Sequence, residues 1–346
     1  MTAWLNKVAD SDVWWSFKSS WLTVAAAVAT LLIILISFLS PVLAPHTPFD
    51  PATLSLSDGL KPPVLLSPDG EWAFPLGTDD QGRDVLSSIM YGTRLSLIVG
   101  FASVLVAMVL GIALGLVSGY VGGTTDAVIM RIADVQLTFP AILVALLIDG
   151  IVRGLTSVKQ HDEIAVFVIV GAIGLSFWVQ YARTVRGSVL VEKNKEYVQA
   201  ARVIGLSPVL IMVRHVLPNV TGPVLVIATL NLGLAIISEA TLSFLGVGLP
   251  STQPSLGTLI RIGNELLQSG EWWITVFPGI TLASLVLAVN LLGAGLAVPL
   301  VRWLRRRWPA WSVAAAGALA DAALLGLMWL PIGFGPTLAV RALEGV

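Results

Sequence analysis

Six stretches of this 346-residue chain are apolar over lengths near the ~20 residues an α-helix needs to cross a bilayer, and no other feature restricts the fold as strongly. They run from Trp21 to Leu39, Leu95 to Tyr120, Val135 to Ile151, Ile164 to Tyr181, Val220 to Leu245 and Trp273 to Val301. Inside a bilayer the backbone must satisfy its own hydrogen bonds, so runs of this length fold as helices. Only 12% of residues are charged and 56% are hydrophobic, against about a quarter charged in soluble domains. The expected fold class is an all-α integral membrane protein, a polytopic helical bundle of six core transmembrane helices with a candidate seventh C-terminal segment.

Trp4, Trp14, Trp15 and Lys18 precede the first run as an interfacial belt. Val42-Leu43-Ala44 has the look of a signal cleavage site, but the apolar run before it is too long for a typical signal core, which favours a retained helix. Residues 1–91 thus read as a membrane helix followed by a Pro-, Gly-, Ser- and Asp-rich loop outside the bilayer, and 92–301 as the membrane domain. Residues 302–346 form a tail, basic at Arg302 and Arg305 to Arg307, then apolar from Trp311 to Leu330. Asp321 and Pro331-Ile332-Gly333 make that last stretch a weaker span than the other six.

Gly111, Gly115 and Gly119 recur every four residues on one helix face, which permits close helix approach. Phe139-Pro140 would kink or open the third span near its start and is a candidate for the translocation path. Glu239, with Ser243 one turn on, would cost ~2.5 to 3.5 kcal/mol at mid-bilayer facing lipid. It must face protein or water, either as a polar clamp or as a path-lining residue. Asp149 falls near a span boundary and reads as interfacial.

Placing the N-terminus in the cytoplasm puts Lys193, Lys195, Arg202, Arg214 and the arginines at 302 and 305–307 inside, leaving few cations outside, as the positive-inside bias requires. Several chemistries are excluded. No cysteine is present, so disulfides and thiol ligands are ruled out. No phosphate-binding G-x-x-x-x-G-K stretch occurs, and His46, His161 and His215 are far apart in sequence. The net charge of -1 gives no reason to expect nucleic acid.

Between the fourth and fifth spans lies a basic, polar island at 183–219, centred on Glu196 to Asn219. Helix formers from Tyr197 to Ile204 end at Gly205, and Ser207-Pro208 supplies an N-cap and a first helical residue, so two short helices joined at a glycine are expected. They would offer a small Ala200-Ala201 face to another protein.

This island resembles the coupling loop of ABC-importer permeases through Ala200, Ala201, Gly205 and Pro218. Gln199 stands where that family has Glu, so the salt link of that Glu does not carry over. The resemblance implies that Tyr197, Gln199, Ala200, Ala201, Gly205, His215 and Pro218 seat in a groove of a cytoplasmic ATPase, His215 as a structural residue. A second match, Gly77-Thr78-Asp79-Asp80-Gln81-Gly82-Arg83-Asp84-Val85, resembles the stretch before the second helix in one branch, the second permease of dipeptide, oligopeptide and nickel importers. Physically it reads as a self-paired loop leading into an interfacial helix carrying Val85, Leu86, Ile89 and Met90. Glu239 to Gly246 and Pro254 to Ile260 resemble further segments of that branch.

The resemblance implies an importer subunit working by alternating access, multi-pass in a bacterial inner membrane and not itself an enzyme. Its partners would be a homologous permease, two ATPases that bind the ATP and Mg, an extracytoplasmic substrate-binding protein, and lipid. Peptides are the leading substrate class, with nickel chelates, opines or other small solutes as alternatives. An ion-gradient transporter using Glu239 is the alternative of another class.

Overall fold

The computed structural model describes residues 21–50, 54–64, 67–250, 253 and 255–307, without the side chains of 158, 159 and 294–307. The chain opens with α1 (Trp21–Phe38), a short α2 (Ser40–Leu43) and a 3-10 turn at Leu56–Asp58. Then come α3 (Val85–Val121), α4 (Gly123–Leu137), α5 (Ala141–Leu155) and α6 (Val158–Glu192). The island supplies α7 (Glu196–Val203) and α8 (Pro208–Ile211), which passes through a π turn at Met212–Val216 into α9 (Leu217–Phe244). Finally α10 (Leu256–Leu266) precedes α11 (Trp273–Arg307). Among the described residues the only β pairing is one isolated bridge, Thr78 to Asp84.

Among the described residues, five helical units are long and apolar enough to cross a membrane, and α4 with α5 makes a sixth if that bent pair is taken as one span. The candidate seventh segment at 311–330 lies outside the described residues.

The core seam is formed by α3 and α6, which run parallel. Gly111 abuts Tyr181, Gly115 abuts Ala182 and Val185, and Gly119 abuts Val189, so both sequences advance in the same direction along the contact. A Cβ on Gly115 would stand 2.6 Å from the Ala182 carbonyl oxygen and 2.8 Å from Val185 Cβ. The glycine stripe is therefore a packing surface, where two backbones come closer than any larger residue allows. Parallel neighbours cannot be joined by a tight turn, and α4 plus α5 is the return path between them.

Three boundaries differ from the sequence reading. The interfacial helix expected at 85–90 is the first part of α3 itself: Asp84 caps it, accepting from Ser87 N at 2.9 Å, and Val85, Ile89 and Met90 are buried against protein. Polar residues such as Ser87, Thr93 and Ser96 lower the hydropathy there without breaking the helix, since each is buried. The expected third span is cut in two. Pro140, at the N-cap of α5, has no N–H to give and biases Phe139 away from helical backbone, so α4 and α5 meet at 93°. Lastly, α11 does not stop at Val301 but carries on through Arg307.

Candidate functional site

At one end of the bundle, α7 and α8 form the two-helix element expected from the sequence. Gly205 sits at φ +86°, and its N–H bonds Arg202 O at 3.0 Å while Leu206 N–H bonds Ala201 O at 3.2 Å. This pair of bonds is a Schellman closure, which uses a left-handed residue that glycine adopts without strain. Ser207 accepts from Leu210 N and starts α8, with Pro208 in its first turn.

One face of the element is locked into the protein. Val198, Ala201, Ile211 and Val216 are buried in the main apolar cluster. The Ala200-Ala201 pair is accordingly not a shared outward face: Ala201 is 3% exposed and packs inward, and only Ala200 is outside. The outward apolar surface is instead Val203 at 88% exposure, Ile204 at 76% and Val209 at 64%. Of these, Val203 lies on the helix face opposite Val198 and Ala201, whereas Ile204 stands at the C-cap of α7.

Polar contacts fix the mount. Tyr197 OH donates to Glu192 at 2.7 Å and accepts from Asn219 Nδ2 at 3.0 Å, joining α6, α7 and α9. Arg202 lies over the Tyr120 ring at 5.0 Å, and Lys193 donates to Gly119 O at 2.7 Å, which ties the element to the end of α3. Gln199, in place of the family's Glu, bonds Asn194 O at 3.0 Å. Pro218 has no N–H to offer Arg214, so the ladder widens by one residue there and Leu217 N–H bonds Met212 O. Of His215, the backbone carbonyl takes part, accepting from Asn219 Nδ2 at 2.8 Å.

At the opposite end, the loop from Gly77 to Asp84 is self-paired as expected. Asp79 accepts from Gln81 N and Arg83 N at 2.9 Å and from Arg83 Nε at 2.6 Å, with both side chains buried. Burial pushes the Asp79 carboxyl up from the usual carboxylate range, against the pull of Arg83. Thr78 donates to Asp58 O and accepts from Lys61 N, and Trp273 Nε1 donates to Thr78 O at 3.2 Å. Gly77 (φ +80°) and Gly82 (φ +76°) turn the chain where side chains have no room. Hydrogen bonds to Asp58 and Glu71 raise the Lys61 pKa.

Glu239 is fully buried within this one chain. It accepts from Ser96 Oγ at 2.7 Å and Ser243 Oγ at 2.8 Å. Those hydroxyls in turn accept from Leu256 N at 3.3 Å and Leu249 N at 3.4 Å. One carboxylate thereby holds both flanks of the 249–256 loop through two serines, the arrangement of a clamp; neither Glu239 nor Ser243 reaches a surface that solute could touch. Phe139 and Pro140, in contrast, are exposed at the α4–α5 bend. Asp149, near the end of α5, is 2% exposed, paired with Arg153 at 2.6 Å and 3.4 Å from His161. The separation of these residues along the chain hid that grouping.

Together these features define a polytopic helical membrane protein with a rigidly mounted, apolar-tipped element at one end, and no cluster of metal-ligating residues among those described. The family described as "Binding-protein-dependent transport system inner membrane component" matches residues 111–306, and the "N-terminal TM domain of oligopeptide transport permease C" matches residues 11–63. Similar proteins include the dipeptide transport system permease protein DppC of Haemophilus influenzae, 36% identical over 84% of this chain and 93% of the relative. The di/tripeptide transport system permease protein DppC of Pseudomonas aeruginosa is 35% identical, covering 82% and 89% respectively. The oligopeptide transport system permease protein OppC of Bacillus subtilis is 34% identical, covering 82% and 87%. The chain belongs to the family of inner membrane components of binding-protein-dependent transport systems. It is a multi-pass transport permease of the ABC type, not an enzyme.

Proposed function

We propose that this chain forms half of the translocation pathway of an ATP-driven importer of di- or oligopeptides. The observation that carries the reading is the α7–α8 element, whose inner face is anchored at 198, 201, 211 and 216 while Val203, Ile204 and Val209 stand exposed. An exposed apolar tip ringed by polar and basic residues suits a groove in a partner protein. That partner is a cytoplasmic ATPase, one of two, which bind the ATP and Mg. The N-terminus and the α7–α8 end lie in the cytoplasm, in keeping with Lys193, Lys195, Arg202 and Arg214 there.

The pathway lies between this chain and a homologous permease, and substrate arrives from an extracytoplasmic binding protein. Movement of the ATPases on binding ATP is delivered to α7–α8 and, through the π turn, to α9. Peptides are favoured over nickel chelates, opines or other solutes because the relatives above are named for dipeptides, di/tripeptides and oligopeptides. The ion-gradient reading with Glu239 as carrier loses its support, since Glu239 is sealed from solvent and engaged by serines.

The test is affinity purification of the tagged chain from its native membrane, with an ATPase assay on what co-purifies. Recovery of a second permease and ATPases, with hydrolysis raised by peptide plus binding protein, is the expected result. Ile204→Asp should release the ATPases while the chain keeps its thermal stability. A chain that purifies alone and moves solute on an ion gradient would overturn the proposal.

A further inference from the structure

The corner between α5 and α6, at the same end as the 54–84 loop, holds three ionisable side chains that the coupling element and the Glu239 clamp do not use. Asp149 and His161 are 2% and 4% exposed, and Arg153, one turn after Asp149, has a side chain 41% exposed. Asp149 Oδ2 accepts from Arg153 Nε at 2.6 Å, and Asp149 Oδ1 lies 3.4 Å from His161 Nε2. Arg153 Nη2 also reaches Gly248 O at 3.4 Å, in the turn that follows α9. One buried carboxylate thus faces two nitrogen bases, and only the arginine has a route to water. Asp149 Oδ1 and both imidazole nitrogens lack a well-aligned hydrogen bond, which marks the imidazole side of the cluster as incompletely satisfied.

With His161 neutral, Asp149 and Arg153 balance each other and Arg153 holds the turn. Protonating His161 leaves two cations on one carboxylate in a buried place, an excess positive charge that burial disfavours. Arg153 relieves it, because its half-exposed guanidinium can swing to solvent while His161 cannot. The Arg153–Gly248 hydrogen bond that ties the 245–249 turn to α5 is then lost, while Ser243 still holds Leu249 N from α9. Among the described residues, the turn itself (Leu245, Gly246, Val247, Gly248, Leu249) carries no titratable side chain, Glu239 near the end of α9 is engaged by Ser96 and Ser243, and the acidic Asp162 and Glu163 follow His161 on α6. The Lys159 side chain is outside the described residues.

We propose that Asp149, Arg153 and His161 form a proton-responsive clasp that holds the 245–249 turn to α5 and lets it go when His161 is protonated. Of the three side chains, only the imidazole is of a type whose unperturbed charge changes in the physiological range. Under the importer reading, on which only its role in transport rests, the clasp would make entry from the extracytoplasmic side sensitive to pH on that side.

The chain has no cysteine, so labels can be placed without background. Spin labels on Leu155→Cys and Leu245→Cys, both exposed and flanking the clasp, report its opening in the complex purified from membranes. The expected result is a lengthened distance at pH 5.5 relative to pH 8. His161→Gln keeps a donor without the proton and should hold the short distance at both pH values; Asp149→Asn and Arg153→Gln should give the long one at both. A wild-type distance that does not change with pH, or a change that survives in His161→Gln, would overturn the clasp. Peptide-stimulated ATPase activity of the same samples should vary with pH in the wild type and lose that variation in His161→Gln. Absence of stimulation in every sample, with the distances behaving as expected, would count against the importer reading and leave the clasp standing.

Discussion

Glu239 illustrates how a membrane-buried charge acts through what it satisfies. Its two oxygens accept from Ser96 and Ser243, and through them the N–H groups of Leu256 and Leu249 are fixed. Removing the carboxylate strands buried hydroxyls, and each unsatisfied group costs about 1–3 kcal/mol. Glu239→Leu is therefore expected to lower the Tm of the purified assembly by several degrees, whereas Glu239→Gln, which keeps the shape and one acceptor, should lose far less. Equal Tm values for Glu239→Leu and the wild type would reject the clamp. That Glu239 faces protein or water was legible in the sequence, because lipid would not tolerate it. Which of the two was not legible, since the choice depends on Ser96, 143 positions away. The proximity of Asp149 to His161 was illegible for the same reason: His161 is on the next helix, and no spacing rule connects residues across the α5–α6 corner.

The α7–α8 element was readable from local chemistry alone. Gly205, Ser207 and Pro208 specify a left-handed stop, an N-cap and a helix start, and all three do so here. Its orientation was not readable. Both alanines looked outward in the sequence, but Ala201 shares a face with Val198, and that face is claimed by Ile211 and Val216 once the chain returns into α9. The break at Thr138–Pro140 was legible as a kink and misplaced in extent, because an apolar run that continues across a bend carries no sign of the change in direction. A β-branched residue at φ +86° costs on the order of 1–2 kcal/mol and forbids the Schellman closure. Gly205→Val should free the ATPases and lower the Tm of the membrane bundle only through that backbone strain, as nothing lies within 4 Å of a Cβ placed there. Tyr197→Phe, which removes the hydroxyl shared by Glu192 and Asn219, should weaken the mount and leave peptide-stimulated hydrolysis reduced while the ATPases still co-purify. Wild-type stimulation in Tyr197→Phe would mean that the mount does not transmit movement.

At the scale of the whole molecule, α3 and α6 decide the architecture, because their parallel contact forces the chain to return through the broken α4–α5 unit. The four-residue glycine repeat announced a close contact but not its partner, and not that the two helices run in the same direction. Two glycine substitutions separate packing from helix propensity. Alanine is favoured over glycine inside a helix by about 1 kcal/mol, so a glycine with open space around it should tolerate the change or gain from it. Gly171, on α6 with nothing within 4 Å of a Cβ placed there, is such a position. Gly115 is the reverse: its Cβ would stand 2.6 Å from the Ala182 carbonyl oxygen and 2.8 Å from Val185 Cβ, contacts with backbone and a β-branched stem that cannot rotate away. Overpacking of this kind costs about 1–3 kcal/mol, which exceeds the propensity gain. Gly115→Ala should therefore lower the Tm of the purified chain and Gly171→Ala should hold or raise it. A Gly115→Ala chain as stable as Gly171→Ala would mean that the α3–α6 seam is looser than its glycines imply, and the parallel pair would no longer account for the return through α4 and α5.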